Sequence, residues 1–151
     1  MDVRHINPFL AAFTTTLEQL SVMDIKRGNI KKKSKLYVDL DVSAIICLKG
    51  GLQGNIALSM PQDTAKKLAS TMMMGMAVSV VDDMAKSAIG ELSSMIAGAA
   101  ATMLSSLDIS LQISPPTVLL VPSDINSLEA LAIDFETPVG KIELNIGFTA
   151  S

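Results

Sequence analysis

The sequence is poor in the residues from which most catalytic and metal sites are built. Its 151 residues include one cysteine, one histidine and no tryptophan. The single cysteine excludes an intrachain disulfide, and no Ser-His-Asp set, cluster of metal ligands or P-loop motif is recognisable. The lone histidine, His5, lies near the N-terminus, where we interpret it as a structural or exposed residue. These absences argue against an active site that brings its own nucleophile or metal.

Aromatic and charged side chains are also scarce. There are four Phe and one Tyr, so a core must be built from Leu, Ile, Val, Ala and the ten Met. Apolar residues make up 49% of the chain and charged residues only 18%, a balance that argues against disorder. The formal net charge of −3 offers no general reason to bind nucleic acid. The length suits one domain over residues 1–151.

No export signal or membrane segment is predicted. The N-terminus lacks the charged start and the apolar stretch of a signal peptide. The longest uncharged run, residues 92–107, is shorter than the roughly 20 residues that a membrane span needs, and it carries four serines. Cys47, in the apolar run 45–48, is interpreted as a buried strand thiol rather than a nucleophile. We therefore expect a cytoplasmic protein that does not enter a membrane.

Half of the basic residues fall in residues 26–35, which we call the basic segment. They are Lys26, Arg27, Lys31, Lys32, Lys33 and Lys35. A solvated loop or an edge strand explains the segment, because lysines on a sheet edge discourage aggregation. A contact surface for an acidic partner is the alternative. No aromatic residue lies among these lysines, so a stacking platform for single-stranded nucleic acid is not expected.

Periodicity and turn residues predict three helices and five strands. Asn7 and Pro8 are typical of a helix start, and Gly50-Gly51 is typical of a tight turn. The predicted helices span residues 8–22, 62–76 and 82–107, and the predicted strands span residues 37–48, 52–60, 117–121, 128–136 and 141–149. The second helix ends in four methionines, which fit either core filling or an adaptable partner surface. They are Met72, Met73, Met74 and Met76.

The two halves of the chain show a weak repeat. Residues 54–58 read Gly-Asn-Ile-Ala-Leu and residues 140–144 read Gly-Lys-Ile-Glu-Leu, in the last strand of each predicted hairpin. The order helix, hairpin, helix, helix, strand, hairpin favours helices packed on an antiparallel sheet over βαβ winding. We therefore predict an α+β fold made of two weakly repeated helix–hairpin halves.

The third predicted helix has two contrasting sides. At about 100° per residue, one side collects apolar residues that are typical of a core: Ala88, Leu92, Met95, Ile96, Ala99 and Met103. The opposite side, which we call the small-residue ridge, consists of Ser87, Glu91, Ser94, Gly98, Ala101 and Ser105. Glu91 is the only charge between Lys86 and Asp108.

Two physical interpretations of the small-residue ridge remain open. Small side chains allow close packing against another element of the same protein, or they form a docking surface for a partner. Packing alone does not explain Glu91, because a buried unpaired carboxylate is costly. Glu91 is therefore expected either to face solvent or to meet a partner.

The segment around Glu91 resembles the signature of the CheC/CheX phosphatase family. That signature is Asp or Ser, three residues, Glu, two residues and Asn, with a Pro a little over twenty residues later. Ser87, Glu91, Ser94 and Pro116 occupy these positions within one residue of the expected spacing. The Ile-Asn-Pro-Phe at residues 6–9, the stretch 52–58 and the Met-Met-Met-Gly at residues 72–75 are similar to CheX-type proteins. The resemblance extends over nearly the whole chain.

The resemblance implies a phosphatase that acts on the aspartyl-phosphate of a CheY-like receiver in chemotaxis, a form of two-component signalling. In this family the Glu pairs with a receiver lysine and the Asn amide orients the attacking water. The receiver holds the phosphorylated Asp and the Mg²⁺, so no cofactor of the phosphatase's own is expected. For this chain, the resemblance makes Glu91 and Ser94 catalytic and Ser87, Gly98 and Pro116 binding residues. It also implies a homodimer, for which an exposed sheet edge offers a route.

One position departs from the family pattern. Ser94 stands where the family has Asn, and a hydroxyl is shorter than a carboxamide, which offers both a donor and an acceptor. Misplacing a reacting water by about an ångström can cost on the order of a hundredfold in rate. Three functions stay open: a phosphatase with Ser94 as a poor water orienter, a receiver-binding module without catalysis, and a purely structural role.

Overall fold

The computed structural model describes residues 2–150. The helices of this part are α1 (Val3–Gln19), α2 (Gln62–Met72) and α3 (Asp83–Ser105). Its strands are β1 (Lys26–Lys33), β2 (Leu36–Val38), β3 (Val42–Gly50), β4 (Leu52–Met60), β5 (Leu111–Ile113), β6 (Thr117–Leu119), β7 (Ser123–Asn126), β8 (Ala130–Thr137) and β9 (Gly140–Ala150).

Seven strands form one antiparallel sheet in the order β1-β8-β9-β4-β3-β5, with β6 pairing with β3 beside β5. The two other strands, β2 and β7, form a separate antiparallel ribbon. Strands β4 and β9 lie side by side at the centre. Each of them ends a unit in which a long helix precedes an edge strand and a hairpin, with α1 in the first unit and α3 in the second. The predicted α+β fold with two similar halves is confirmed.

Both predicted hairpins are present. Strands β3 and β4 pair from Val42 opposite Met60 to Leu48 opposite Gly54. The chain then turns through Gly50, whose φ of 104° is a conformation that side chains disfavour. Strands β8 and β9 pair in the same way up to Thr137 opposite Gly140. Glycine at the turns therefore indicated these hairpins correctly.

Other strand predictions need correction. The strand predicted over residues 37–48 is interrupted, because β2 ends at Val38 and β3 begins at Val42. Most of the basic segment is an edge strand, β1, paired on one side with β8. Strands β5 and β7 were not predicted, since three or four residues are too few to show an alternating pattern.

Helix α1 begins at Val3 rather than at residue 8. Its cap is Asp2, whose carboxylate accepts a hydrogen bond from the Arg4 backbone N–H at 2.9 Å. The Arg4 guanidinium donates to the same carboxylate and holds the pKa of Asp2 at about 2. Pro8, predicted at the first helical position, lies inside the helix, where its ring is buried and one backbone donor is missing. The helix therefore starts at the cap that Asp2 provides and not, as the sequence predicted, at Asn7-Pro8.

The main core lies between the sheet and helices α1 and α3. Inward-facing residues alternate along the central strands, as in Ile142, Leu144 and Ile146 of β9, which are all fully buried. Phe13 of α1 stacks on Phe135 of β8 with ring centroids 4.2 Å apart. Helix α3 contacts α1, α2 and strands β3, β5 and β6, so its place on the sheet is set from several sides.

The β2–β7 ribbon covers the opposite face of the sheet, where Leu36 packs over the central strands. A charged cluster is buried there. Lys33 Nζ donates to Asn145 Oδ1 at 2.7 Å and to the Tyr37 carbonyl oxygen at 2.9 Å, and it lies 3.4 Å from Glu143 Oε1. The side chains of Lys33 and Glu143 are only 2% and 4% exposed. Lys33 is therefore a structural residue, unlike the solvated cations of the basic segment.

The sulfur-containing side chains differ in burial. Met72 and Met73 pack against the core, whereas Met74 and Met76 are exposed. Core filling is therefore the correct interpretation for Met72 and Met73, and exposure at the surface, as a partner surface requires, is found for Met74 and Met76. Cys47 lies in β3 as predicted but is half-buried rather than fully buried.

Helix α3 has the length and the mean hydropathy, 1.2, of a membrane span. Core helices of soluble domains can have the same properties. In this fold 44% of the apolar stretch is buried, and the helix packs on the sheet and on α1. Its apolar character is therefore accounted for by the core.

Candidate functional site

Helix α3 carries the small-residue ridge, and its cap and buried face set its position. Asp82 caps the helix, since its carboxylate accepts a hydrogen bond from the Ala85 backbone N–H at 2.9 Å. Ile89, Leu92 and Ile96 are fully buried in the core. The side of the helix opposite these residues therefore faces away from the core.

The buried face of α3 is wider than the predicted apolar stripe. Leu92 and Ile96 are buried as predicted, but the other four predicted positions are only partly buried. The fully buried positions are Ala85, Ile89, Gly90, Leu92, Ser93, Ile96, Ala97, Ala100 and Leu104. The helix packs against both the sheet and α1, so its buried arc extends beyond a single stripe.

The small-residue ridge lies on the open side of α3. Glu91, near its middle, is exposed, and so are Ser87 and Ser105. Ser94, Gly98 and Ala101 are partly buried. Of the two interpretations of the ridge, close packing inside the subunit is therefore wrong, and the surface is accessible to another molecule.

A groove brings four of the five predicted site residues together. Ser87, Glu91 and Ser94 line it from α3, and Pro116 lines it from the segment that joins β5 to β6. Its volume is about 430 Å³. The fifth residue, Gly98, lies one turn further along the same face and outside the groove. Helical spacing thus places Ser87, Glu91 and Ser94 next to one another, whereas Pro116 reaches the groove because the β5–β6 segment packs beside α3.

Two polar groups of the groove have no partner within the described part of the chain. Among residues 2–150, the Glu91 carboxylate and the Ser94 hydroxyl form no hydrogen bond or ion pair. Three neighbouring hydroxyls on α3 behave differently, since those of Ser93, Thr102 and Ser105 donate to helix carbonyl oxygens. The Glu91 carboxylate and the Ser94 hydroxyl are therefore available to a ligand.

The two glycines of α3 have different roles. A methyl group on Gly90 would lie 3.1 Å from Pro116 Cγ, so this glycine is needed for Pro116 to pack against the helix. A methyl group on Gly98 would meet no atom within 4 Å. Glycine inside a helix costs about 1 kcal/mol relative to alanine. Contacts within residues 2–150 explain Gly90 and leave Gly98 without a structural reason.

Three groove residues were not predicted from the sequence. Lys86 lies one position before Ser87 and forms a 3.8 Å ion pair with Asp83, while Gly90 and Val118 complete the wall beside Pro116. The helical spacing places Lys86 and Gly90 close to Glu91, so a wider helical-wheel analysis could have included them. Val118 belongs to β6, and its position beside α3 could not be inferred from spacing along the sequence.

The groove is equipped for positioning and charge pairing. Among the described residues, no group of three His, Cys, Asp or Glu side chains could hold a metal ion. The groove offers one exposed carboxylate, one cation and two hydroxyls. Such a set can bind a cation of a partner and orient a water molecule, but it does not supply a strong nucleophile.

Comparison with known proteins identifies the family. The family profile described as "Chemotaxis phosphatase CheX" matches residues 42–135. The chain belongs to the CheX family. A relative from Thermotoga maritima, "CheY-P phosphatase CheX", is 34% identical over 118 residues, which cover 78% of this chain and 76% of the relative. The expected relationship to CheX-type proteins is confirmed.

Solved structures of CheX proteins share the fold. The chemotaxis protein CheX from Desulfovibrio desulfuricans superposes with a TM-score of 0.84 at 24% identity, covering 97% of this chain and 99% of that chain. A chain of the CheX–CheY–BeF₃–Mg²⁺ complex from Borrelia burgdorferi superposes with a TM-score of 0.75 at 28% identity, covering 95% and 97%. The second of these CheX structures contains a bound CheY.

Proposed function

We propose that this protein docks a phosphorylated CheY-like receiver on α3 and hydrolyses its aspartyl-phosphate. The observation that carries the proposal is the unpaired Glu91 carboxylate and the unpaired Ser94 hydroxyl, three residues apart on an open helical face. A Thermotoga maritima relative is named a CheY-P phosphatase, and a Borrelia burgdorferi CheX is found in complex with CheY. Both support a receiver as the partner.

Docking uses the shape and the charge of the ridge. The exposed Glu91 pairs with a cation of the receiver, and Ser87 and Pro116 line the groove on either side of it. Gly98 lets the receiver backbone approach the helix closely, which is a common reason for a glycine that its own chain does not require. These contacts hold the receiver's phosphorylated site over the groove.

The chemical step is an in-line displacement by water. The water oxygen bonds to phosphorus, the bond between phosphorus and the receiver's aspartate oxygen breaks, and inorganic phosphate and the free carboxylate result. The receiver supplies the Mg²⁺ that neutralises the phosphoryl oxygens, as the BeF₃ and Mg²⁺ of the Borrelia burgdorferi complex suggest. The phosphatase contributes the position of the water, so it requires no cofactor of its own.

Ser94 orients the attacking water in this scheme. Its hydroxyl is not bonded to a helix carbonyl oxygen, so it can accept a hydrogen bond from the water or donate one to it. Because this side chain is shorter than the Asn of the family pattern, the water lies less favourably and turnover is slow. The alternative function, a receiver-binding module without catalysis, follows from the same short side chain.

A substitution at Ser94 separates these functions. We expect Ser94→Asn to raise the rate of phosphate release from a phosphorylated CheY-like receiver by about tenfold or more, because the amide reaches further. Ser105→Asn is the matched control, since Ser105 lies on the same face but outside the groove. Phosphate release and receiver affinity are measured for both variants and for Glu91→Gln, which should weaken binding.

Each result has a definite meaning. Binding without any acceleration by the unaltered protein supports the module. An unchanged rate in Ser94→Asn with intact binding contradicts the role of position 94 in orienting water. No binding of any receiver leaves only the structural role of the fold.

We also propose that the protein forms a homodimer through the sheet edge at β5 and β6. Strand β1, the other edge, carries basic residues at five of its eight positions, and like charges would lie opposite one another if two β1 strands paired. The β5 and β6 strands contain no charged residue. Light scattering should give a mass of twice 15.9 kDa, and a monomer mass would contradict this proposal.

We place the protein in the cytoplasm, where it would meet its receiver. Receivers of two-component signalling act there. One face of helix α3 packs in the core and the other forms the proposed docking surface, so its apolar residues do not require a membrane. Fractionation of cells that express the protein tests this location, and recovery with the membrane fraction would contradict it.

A further inference from the structure

The ridge of α3 continues past the groove into an apolar surface. Met84 lies three residues before Ser87 and seven before Glu91, so it points to the same side of the helix. Its side chain is 60% exposed, although it is large and apolar. Met76 and Val80, in the connection between α2 and α3, are each 58% exposed. We call these three side chains the methionine patch.

The methionine patch surrounds a shallow depression. A cavity of about 100 Å³ is lined by Met73, Met76, Val78, Val80, Asp82 and Met84. Met73 and Val78 also pack against the main core, so they anchor the floor of the depression. The backbone of the connection leaves α2 through Met74 and Gly75, which both have positive φ angles. The connection therefore holds Met76 and Val80 beside the start of α3.

The small-residue ridge alone is a poor source of binding energy. From Ser87 to Ser105 it is about 27 Å long, but most of its side chains carry no more than one or two heavy atoms. Stable interfaces bury roughly 800 Å² on each partner and depend on a few large, well-packed side chains. The ridge can admit a partner closely and pair one charge, but it lacks such an anchor.

The chemistry of the patch fits an extension of the same interface. It has an apolar centre with the exposed carboxylates of Asp82 and Asp83 at its rim, as interface patches commonly have. Methionine side chains are flexible and polarisable, and they adapt to a partner's shape. The patch is continuous with the groove through Met84, on the same helical face.

We propose that the methionine patch binds the receiver domain and provides the apolar anchor of the docking surface. This inference rests on the proposed function, because it assigns the same partner to a longer stretch of α3. The patch contributes affinity and does not touch the phosphorylated site. Substitutions there should therefore raise the concentration of receiver that gives half-maximal rate and leave the maximal rate unchanged.

Two variants test the patch without endangering the fold. Met84→Ala removes the side chain at an exposed helical position and places a good helix former there. Met84→Glu adds a charge in the first turn of α3, where the helix dipole favours it. We expect the receiver Kd to rise about threefold for Met84→Ala and about tenfold for Met84→Glu. The matched control is Ile30→Glu, an equally exposed apolar residue on the far edge strand β1.

The measurements are receiver binding by titration, phosphate release over a range of receiver concentrations, and mass by light scattering. A raised Kd with an unchanged maximal rate supports the inference. An unchanged Kd for both Met84 variants, while Glu91→Gln weakens binding, overturns it and leaves the proposed function intact. If Glu91→Gln also has no effect, the proposed function fails. If Met84→Glu halves the mass and leaves receiver binding unchanged, a second copy of the chain occupies the patch and the inference is wrong.

Discussion

Gly98 allows the most direct separation of folding from docking on α3. A methyl group at this position would meet no atom within 4 Å, so Gly98→Ala adds a side chain to open space. Alanine is favoured over glycine inside a helix by about 0.5–1 kcal/mol. Because no contact opposes this gain, we expect the free energy of unfolding to increase by about that amount. For a chain of this length the melting temperature should then rise by about 1–4 °C.

Gly90→Ala is the matched control in the same helix. Its methyl group would lie 3.1 Å from Pro116 Cγ and 3.4 Å from Pro116 Cβ. Proline has little freedom to move away, so the crowding should offset the gain in helix propensity or exceed it. We therefore expect Gly98→Ala to be more stable than the unaltered protein and Gly90→Ala to be equally stable or less stable. Urea unfolding followed by circular dichroism measures both.

A larger side chain at the same position tests docking. Gln is a good helix former, so Gly98→Gln should retain or increase stability while filling the space that a receiver would occupy. We expect it to weaken receiver binding at least tenfold. Two results would refute this reasoning: a loss of stability in Gly98→Ala, which would mean that the chain itself needs the glycine, or unaltered receiver binding by a folded Gly98→Gln.

Two further predictions concern the sheet. Lys33→Met leaves Glu143 and Asn145 without their buried partner and should lower the free energy of unfolding by about 3–5 kcal/mol, whereas loss of an exposed ion pair costs less than about 1 kcal/mol. Urea unfolding measures this loss, and a change below 1 kcal/mol would contradict the role of the cluster. Leu120→Lys places a charge beside the β5–β6 edge and should convert the proposed dimer to a monomer in light scattering, while Lys31→Leu on β1 should not.

The long helix and the two hairpins could be predicted because their signals are local. Asp82 caps α3, the apolar periodicity continues for more than four turns, and glycines stand where the hairpin turns require positive φ angles. The start of α1 was predicted wrongly because two competing caps lie within six residues. Asp2 is the actual cap, because its carboxylate accepts a hydrogen bond from a free backbone N–H and also pairs with the Arg4 guanidinium.

Features that depend on distant parts of the chain could not be predicted. In the sequence Lys33 is indistinguishable from the five other cations of the basic segment. Only the pairing of β1 with β8 places it beside Asn145 of β9. The ribbon of β2 and β7 joins segments about ninety residues apart. The candidate site lies between these cases, because helical spacing grouped Ser87, Glu91 and Ser94, while Val118 joined the groove only through the packing of β6.

The stability of α3 comes from one side and its proposed function from the other. Serine and glycine are weak helix formers, and Ser87, Ser94 and Gly98 together lower the helix propensity of the ridge. The burial of Ile89, Leu92 and Ile96 stabilises the helix by several kcal/mol, which exceeds that cost. The outward face is therefore free to keep small residues that folding does not require. It follows that substitutions on the ridge should alter receiver binding far more than they alter folding, and a ridge variant that unfolds the protein would show that the two sides are not independent.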